Sequence, residues 1–163
     1  MTILVAGVGN IFFGDDGVGP AVAAALAQEA TDDVRIVDAG IAGIHLAYDL
    51  TAGCDRVLIV DAVRRDEPPG TLVLLEPPDA AAAGSPDPHG MELHATFAYA
   101  RALGGELPPI AILGIVPENV DEGIGLSRAV AAAIAPACTM VRRILHDWQT
   151  RGAACGAREK ETV

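Results

Sequence analysis

Five short apolar runs, separated by stretches of helical periodicity, predict an α/β protein built on a mostly parallel sheet with helices on both faces. The runs lack the polar alternation of a half-exposed strand, so each suits a strand buried on both sides. A composition that is 51% hydrophobic, with a mean hydropathy of +0.35, supplies apolar surface for such a core. Aromatic residues make up only 4%, so the core must be aliphatic.

The first run, Thr2–Gly7 (TILVAG), is β-branched and apolar. A helical pattern follows over Val18–Glu29. Val34–Val37, leading into Asp38, is the second strand, and Ile44–Leu50 the second helical stretch. Arg56–Asp61 (RVLIVD) and Thr71–Leu75 are the third and fourth strands. Leu75–His89 is rich in Pro, Gly and Asp and long enough to be a functional loop. A helix over His89–Leu103 leads to the fifth strand, Ile110–Val116. The last helix spans Leu126–Gln149, with Ser127 as its N-cap. Pro136 removes one backbone hydrogen bond there and is expected to kink or divide it. Connections between parallel strands are right-handed by default.

The 163 residues suffice for one domain, expected over residues 1–150. Residues 151–163 are expected to form a flexible, frayed tail, because Gly152–Val163 shows no periodicity. The formal net charge is −11, and a phosphate backbone would be repelled, so no nucleic-acid partner is expected. Charge is uneven: residues 1–141 hold six Arg against nineteen acids, whereas residues 142–163 are net basic. The only lysine, Lys160, is four residues from the end, which removes a Walker-type phosphate lysine and disfavours a Schiff base. Cys54, Cys138 and Cys155 are too far apart for a Cys-x-x-Cys pair or a disulfide framework. Neither a secretory signal nor a membrane span is supported, so a cytoplasmic protein with no membrane partner is expected.

The acids gather where strands end. The first strand runs into Gly7-Val8-Gly9-Asn10 and on to Asp15 and Asp16; the second ends at Asp38 and the third at Asp61. Glu118, Asp121 and Glu122 follow the fifth. In a parallel sheet these positions share the carboxyl edge, where open α/β folds place their sites. A single Asp in such a loop is usually a cap or turn residue. Acids at three strand ends together, beside a glycine-flanked acidic loop, point to a crevice that attracts a cation or a cationic partner.

Gly7-x-Gly9, with Asp38 closing the second strand, invites comparison with a dinucleotide site. Phe12 stands where the third glycine should fall, and the helix starts about eight residues too late, after two carboxylates. Among the histidines, His146 reads as a surface residue and His45 has no obvious partner. His89 opens a helix near the expected site edge. His89 and His94 diverge by about 140° around a helix and are poor co-ligands. With Asp16 and Asp61, His89 would complete an oxygen–oxygen–nitrogen set suited to nickel or zinc.

These residues resemble the nickel–iron hydrogenase maturation endopeptidases. The likeness begins in Ile3–Pro20 (ILVAGVGNIFFGDDGVGP) and continues through Asp38–Gly43 (DAGIAG) and Val57–Ala62 (VLIVDA). It extends through His89-Gly-Met, the helix to Gly104, Leu113–Glu118 (LGIVPE) and Gly123–Ser127 (GIGLS), covering about residues 1–148. The resemblance implies a three-layer α/β/α sandwich around a twisted, mostly parallel five-stranded sheet. It implies an endopeptidase, a hydrolase that removes a C-terminal extension from the hydrogenase large-subunit precursor once nickel has been inserted. Asp16, Asp61 and His89 are implied as the catalytic, metal-contacting set. Asp38 and its glycine loop, with Gly40 and Gly43, are implied in substrate binding. Nickel would come with the large subunit, held by its cysteines, and no organic cofactor is implied. The ion would then polarise the scissile carbonyl or activate water, with Asp38 or a site carboxylate as general base. The family loop usually reads Asp-Gly-Gly-Thr-x-Gly; Ala39 and Ile41 depart from it here. Two other readings stay open: a self-contained zinc metallohydrolase at the same three side chains, and a non-enzymatic nucleotide- or nickel-binding protein.

Overall fold

The computed structural model describes residues 1–76 and 88–159, with side chains described for 1–76 and 92–152. Five strands form one sheet: β1 (Ile3–Val8), β2 (Val34–Gly40), β3 (Arg56–Ala62), β4 (Leu72–Leu75) and β5 (Ile110–Ile115). The helices are α1 (Val18–Leu26), α2 (Ile44–Thr51), α3 (Pro88–Ala102) and α4 (Arg128–Glu159). A 3₁₀ turn over Gly14–Gly17 leads into α1, and another over Ala27–Glu29 follows it.

The strand order is β2-β1-β3-β5-β4. β1 pairs in parallel with β2 and β3, and β3 in parallel with β5. β4 is antiparallel to β5. Its direction follows from its connection: residues 63–71 are too few for a crossover helix, so the chain must double back. The turn closes through Gly70, whose N–H donates to the Val116 carbonyl at 2.7 Å.

Alternation along the central strands feeds two separate cores, which is why β1 and β3 contain no polar repeat. Leu4, Ala6 and Val8 of β1 and Val57 and Ile59 of β3 pack with Leu46, Ala47 and Leu50 of α2 and Leu93, Phe97 and Ala100 of α3. Val5, Leu58 and Val60 point the other way, into Val18, Val22 and Leu26 of α1 and Val130, Ala137 and Val141 of α4. The result is the expected three-layer sandwich.

The last helix differs from expectation twice. It is not divided at Pro136, which sits inside one continuous helix. One lost amide bond, costing about 3 kcal/mol, is opposed by the apolar face that Val130, Ala133, Ala137, Cys138, Val141 and Ile144 bury on the sheet. The helix also continues through Gly152 to Glu159, where an aperiodic tail was expected. Ala, Arg and Glu in that stretch are strong helix formers, and propensity extends the helix where amphipathic pattern has run out. Residues 160–163 lie outside the described residues. Ser127 caps the helix as expected, its Oγ accepting from the Val130 N–H at 3.4 Å. Arg128–Gly152 is long and apolar enough to cross a membrane by length and composition. In this fold its apolar face belongs to the core.

Candidate active site

The chain leaves β1 for β2 on one side and continues to β3 on the other, so the gap beyond the carboxyl ends of β1 and β3 is a topological switch point. Three glycines determine what fills it. A Cβ on Gly7 would collide with the Gly19 carbonyl, and one on Gly19 with the carbonyls of Val8 and Val60. A Cβ on Gly9, whose φ is +145°, would collide with the Asp16 carbonyl. The glycines therefore let the Gly14–Gly17 turn and the start of α1 press backbone to backbone onto the strand ends. The space a pyrophosphate would need is taken by the chain itself. Gly-x-Gly here is a packing motif.

Two adjacent aspartates in that turn do different things. Asp15 is fully buried. Its Oδ2 accepts from the backbone N–H groups of Glu118 (2.9 Å) and Asn119 (3.0 Å), and its Oδ1 from that of Ser127 (2.6 Å). Burial pushes the carboxyl pKa up, but the hydrogen bonds from Ser127, Asn119 and Glu118 outweigh it and hold the group below the usual range. Asp15 thus ties the turn to the loop after β5 and to the start of α4. Asp15→Asn presents an amide NH₂ to donors and is expected to cost about 2 kcal/mol, measured by urea denaturation. Because the folded-state pKa is depressed, this stabilisation is complete above the unfolded value of about 4 and is lost as pH falls through the folded one. The wild-type stability curve should therefore drop more steeply than the variant's in acid.

Asp16 is also buried, at 4% exposure, and its Oδ2 accepts from the Asn10 N–H at 2.8 Å. Unlike Asp15 it faces a cavity of about 270 Å³, lined also by Asn10, Phe13, Ile41, Arg64, Glu92 and Val120. The sheet edge, the loop after β2, the turn after β3 and α3 all contribute. A second cavity, of about 390 Å³, adjoins it through Arg64 and Val120 and is walled by Arg65, Pro117, Glu118, Asn119 and Asp121.

Asp61 is the penultimate residue of β3, in register with Gly114 of β5; it is 2% exposed and accepts from the Ala62 N–H at 2.8 Å. The Asp16 turn packs directly on β3, so both expected carboxylates sit at the switch point. His89 lies in the first turn of α3, one turn before Glu92 of the cavity; its side chain is outside the described residues. Among the described residues no trio of His, Cys, Asp and Glu is placed to hold a metal ion. Asp38 is exposed at the end of β2, where its Oδ1 accepts from the Gly40 N–H at 2.9 Å. Gly40 has φ +53°, and its carbonyl accepts from the Gly9 N–H at 2.7 Å, joining the Asp38 loop to the first strand's turn. Gly43 precedes α2 as its N-cap residue.

Glu92 and Arg64 were not singled out by sequence reasoning. The signal for Glu92 was its position three residues after His89 on one helix, which places the two on neighbouring positions of one face. The rim is apolar. Ile11, Phe12 and Phe13 are 43–56% exposed and Ile124 is 79% exposed. Their loops are joined by backbone bonds, Gly14 N–H to the Gly123 carbonyl (2.8 Å) and Gly123 N–H to the Phe12 carbonyl (2.7 Å). Cys54 is no activated nucleophile: burial pushes its thiol pKa up.

Fold and crevice together define an open α/β protein whose candidate site lies at the switch point, with Asp16 and Asp61 beside it and backbone packed against its glycine turn. A model of the hydrogenase maturation protease family, HycI, matches residues 20–144. The chain is similar to the hydrogenase 2 maturation protease of Escherichia coli, with 34% identity over 152 residues, 90% of this chain and 92% of the relative. Its structure is similar to that of the maturating endopeptidase HybD from E. coli, with a TM-score of 0.78, 33% identity, and 90% and 93% of the two chains covered. It also resembles a hydrogenase 2 maturation peptidase from a thaumarchaeote, with a TM-score of 0.67, 33% identity, and 90% and 99% coverage. The chain belongs to the hydrogenase maturation protease family. It is a hydrolase of the endopeptidase class.

Proposed function

We propose that this enzyme removes the C-terminal extension of a nickel–iron hydrogenase large-subunit precursor after nickel insertion, recognising the nickel that the precursor carries. The observation that carries the reading is the buried Asp16 carboxylate opening on a cavity at the switch point, with Asp61 at the adjacent strand end. Carboxylates held in place before the ion arrives suit a borderline divalent cation, particularly with an imidazole from His89. On this reading the three side chains add ligands to an ion already bound by the substrate. A nickel-free precursor then brings no ion for these side chains to ligate. Nickel supplies Lewis-acid polarisation of the scissile carbonyl or of a water.

The exposed apolar rim at Ile11–Phe13 and Ile124 supports a protein substrate, because contiguous exposed apolar side chains beside a site mark protein contact. Asp38, Gly40 and Gly43 are placed in this reading as the loop that engages the segment near the scissile bond. On this reading the reaction takes place in the cytoplasm.

The test is cleavage of purified precursor with and without nickel, followed by mass spectrometry. The nickel-loaded form should lose its extension and the nickel-free form should keep it. Equal cleavage of both would overturn nickel recognition.

A further inference from the structure

Arg64 and Arg65 stand out in a chain whose first 141 residues contain only six arginines against nineteen acids. They are adjacent and exposed, in the turn three and four residues after the buried Asp61. Neither guanidinium makes an ion pair among the described residues; the pairs found there are Arg35–Asp49 and Arg142–Glu29. Arg64 lines the cavity that contains Asp16, and both arginines line the adjoining one. The two cavities share Arg64 and Val120 in their walls, which places Arg64 between the two lobes. Glu118 and Asp121 share the second lobe without taking up either guanidinium.

An endopeptidase must hold chain on both sides of the bond it cuts. If the first lobe takes the metal-bearing junction, the segment to be removed has to leave through the second. We propose that Arg64 and Arg65 form a subsite for a carboxylate of that segment, either an acidic side chain or the terminal carboxylate. This rests on the peptidase reading above. Guanidinium suits the task because its planar donor fork matches a carboxylate in two parallel hydrogen bonds and stays charged at every working pH. Over residues 1–141, six arginines stand against nineteen acids, so this acidic body offers a carboxylate few other places to settle.

The experiment measures processing of a nickel-loaded large-subunit precursor by wild-type enzyme and by the Arg64→Glu/Arg65→Glu double variant. The variant should raise KM at least about tenfold while kcat stays within about threefold, and the wild-type KM should rise with salt. Two precursor arms separate the sources of the carboxylate. Changing each acidic residue of the extension to Lys in turn should give one form that the double variant accepts better than the wild type does. If the terminal carboxylate is the ligand, lengthening the extension with a neutral Gly-Ser segment should raise the wild-type KM instead. An unchanged KM in the double variant overturns the subsite, as does a raised KM that neither arm restores or reproduces. Wild-type enzyme that leaves the loaded precursor uncut overturns the peptidase reading itself, and the subsite with it. Double-variant cutting at wild-type KM removes the subsite alone.

Discussion

Asp16→Asn is expected to reduce processing of the nickel-loaded precursor by about 100-fold or more while the protein stays folded. The substitution keeps size and shape, and an amide oxygen still accepts from the Asn10 N–H as Oδ2 does now. What changes is the cavity-facing donor set, in which one carboxylate oxygen becomes an amide nitrogen that cannot ligate a cation. Stability should therefore change little and activity a great deal. The measurements are a thermal melt and a mass-spectrometric time course on the same preparation. A normal rate in Asp16→Asn removes this carboxylate from the site. The adjacent Asp15→Asn makes the control, since there the order reverses and stability is the first quantity to fall. One peptide bond separates a carboxylate that faces the cavity from one that holds the loops together.

Gly19→Ala should destabilise the protein by about 3 kcal/mol or more, at the upper end of overpacking costs. The added methyl meets the carbonyl oxygens of Val8 and Val60, which are backbone atoms of the two central strands and cannot rotate aside. Relief requires α1 to lift off the sheet, which moves the Asp16 turn with it. For a chain of this length the melting temperature should fall by about 6–12 °C, and processing should fall in the same variant even where it remains folded. An unchanged melting temperature would show that α1 can shift at little cost and that the interlock at Gly7, Gly9 and Gly19 is loose.

Much of this architecture was legible because β1 and β3 are buried on both faces and so are written as unbroken apolar runs. The strand ends were correct to within one to three residues, and the acids after them did fall at one edge. Three things were not legible. Pro136 reads as a breaker in local terms, and only the area that α4 buries on the sheet keeps the helix whole. Asp15 and Asp16 look alike in sequence, because the partners that separate them are more than 100 residues away for Asp15 and within the cavity for Asp16. Gly-x-Gly gives no hint that its empty positions are filled by Gly19 and Asp16 backbone, since that contact exists only once α1 has docked. The nucleotide alternative was disfavoured from spacing; sterics supply the physical reason.

The crosslinks around the groove have a thermodynamic consequence for recognition. Asp15 fastens the floor turn to residues 118, 119 and 127, Gly14 and Gly123 stitch the rim loops, and Gly9 holds the Asp38 loop through Gly40. Loops secured this way have little disorder left to surrender when a partner arrives. On the function proposed above, most of the entropy of forming a complex would then be given up by the incoming chain. Such a receptor would discriminate by refusing to deform, and would favour a substrate segment that arrives already extended.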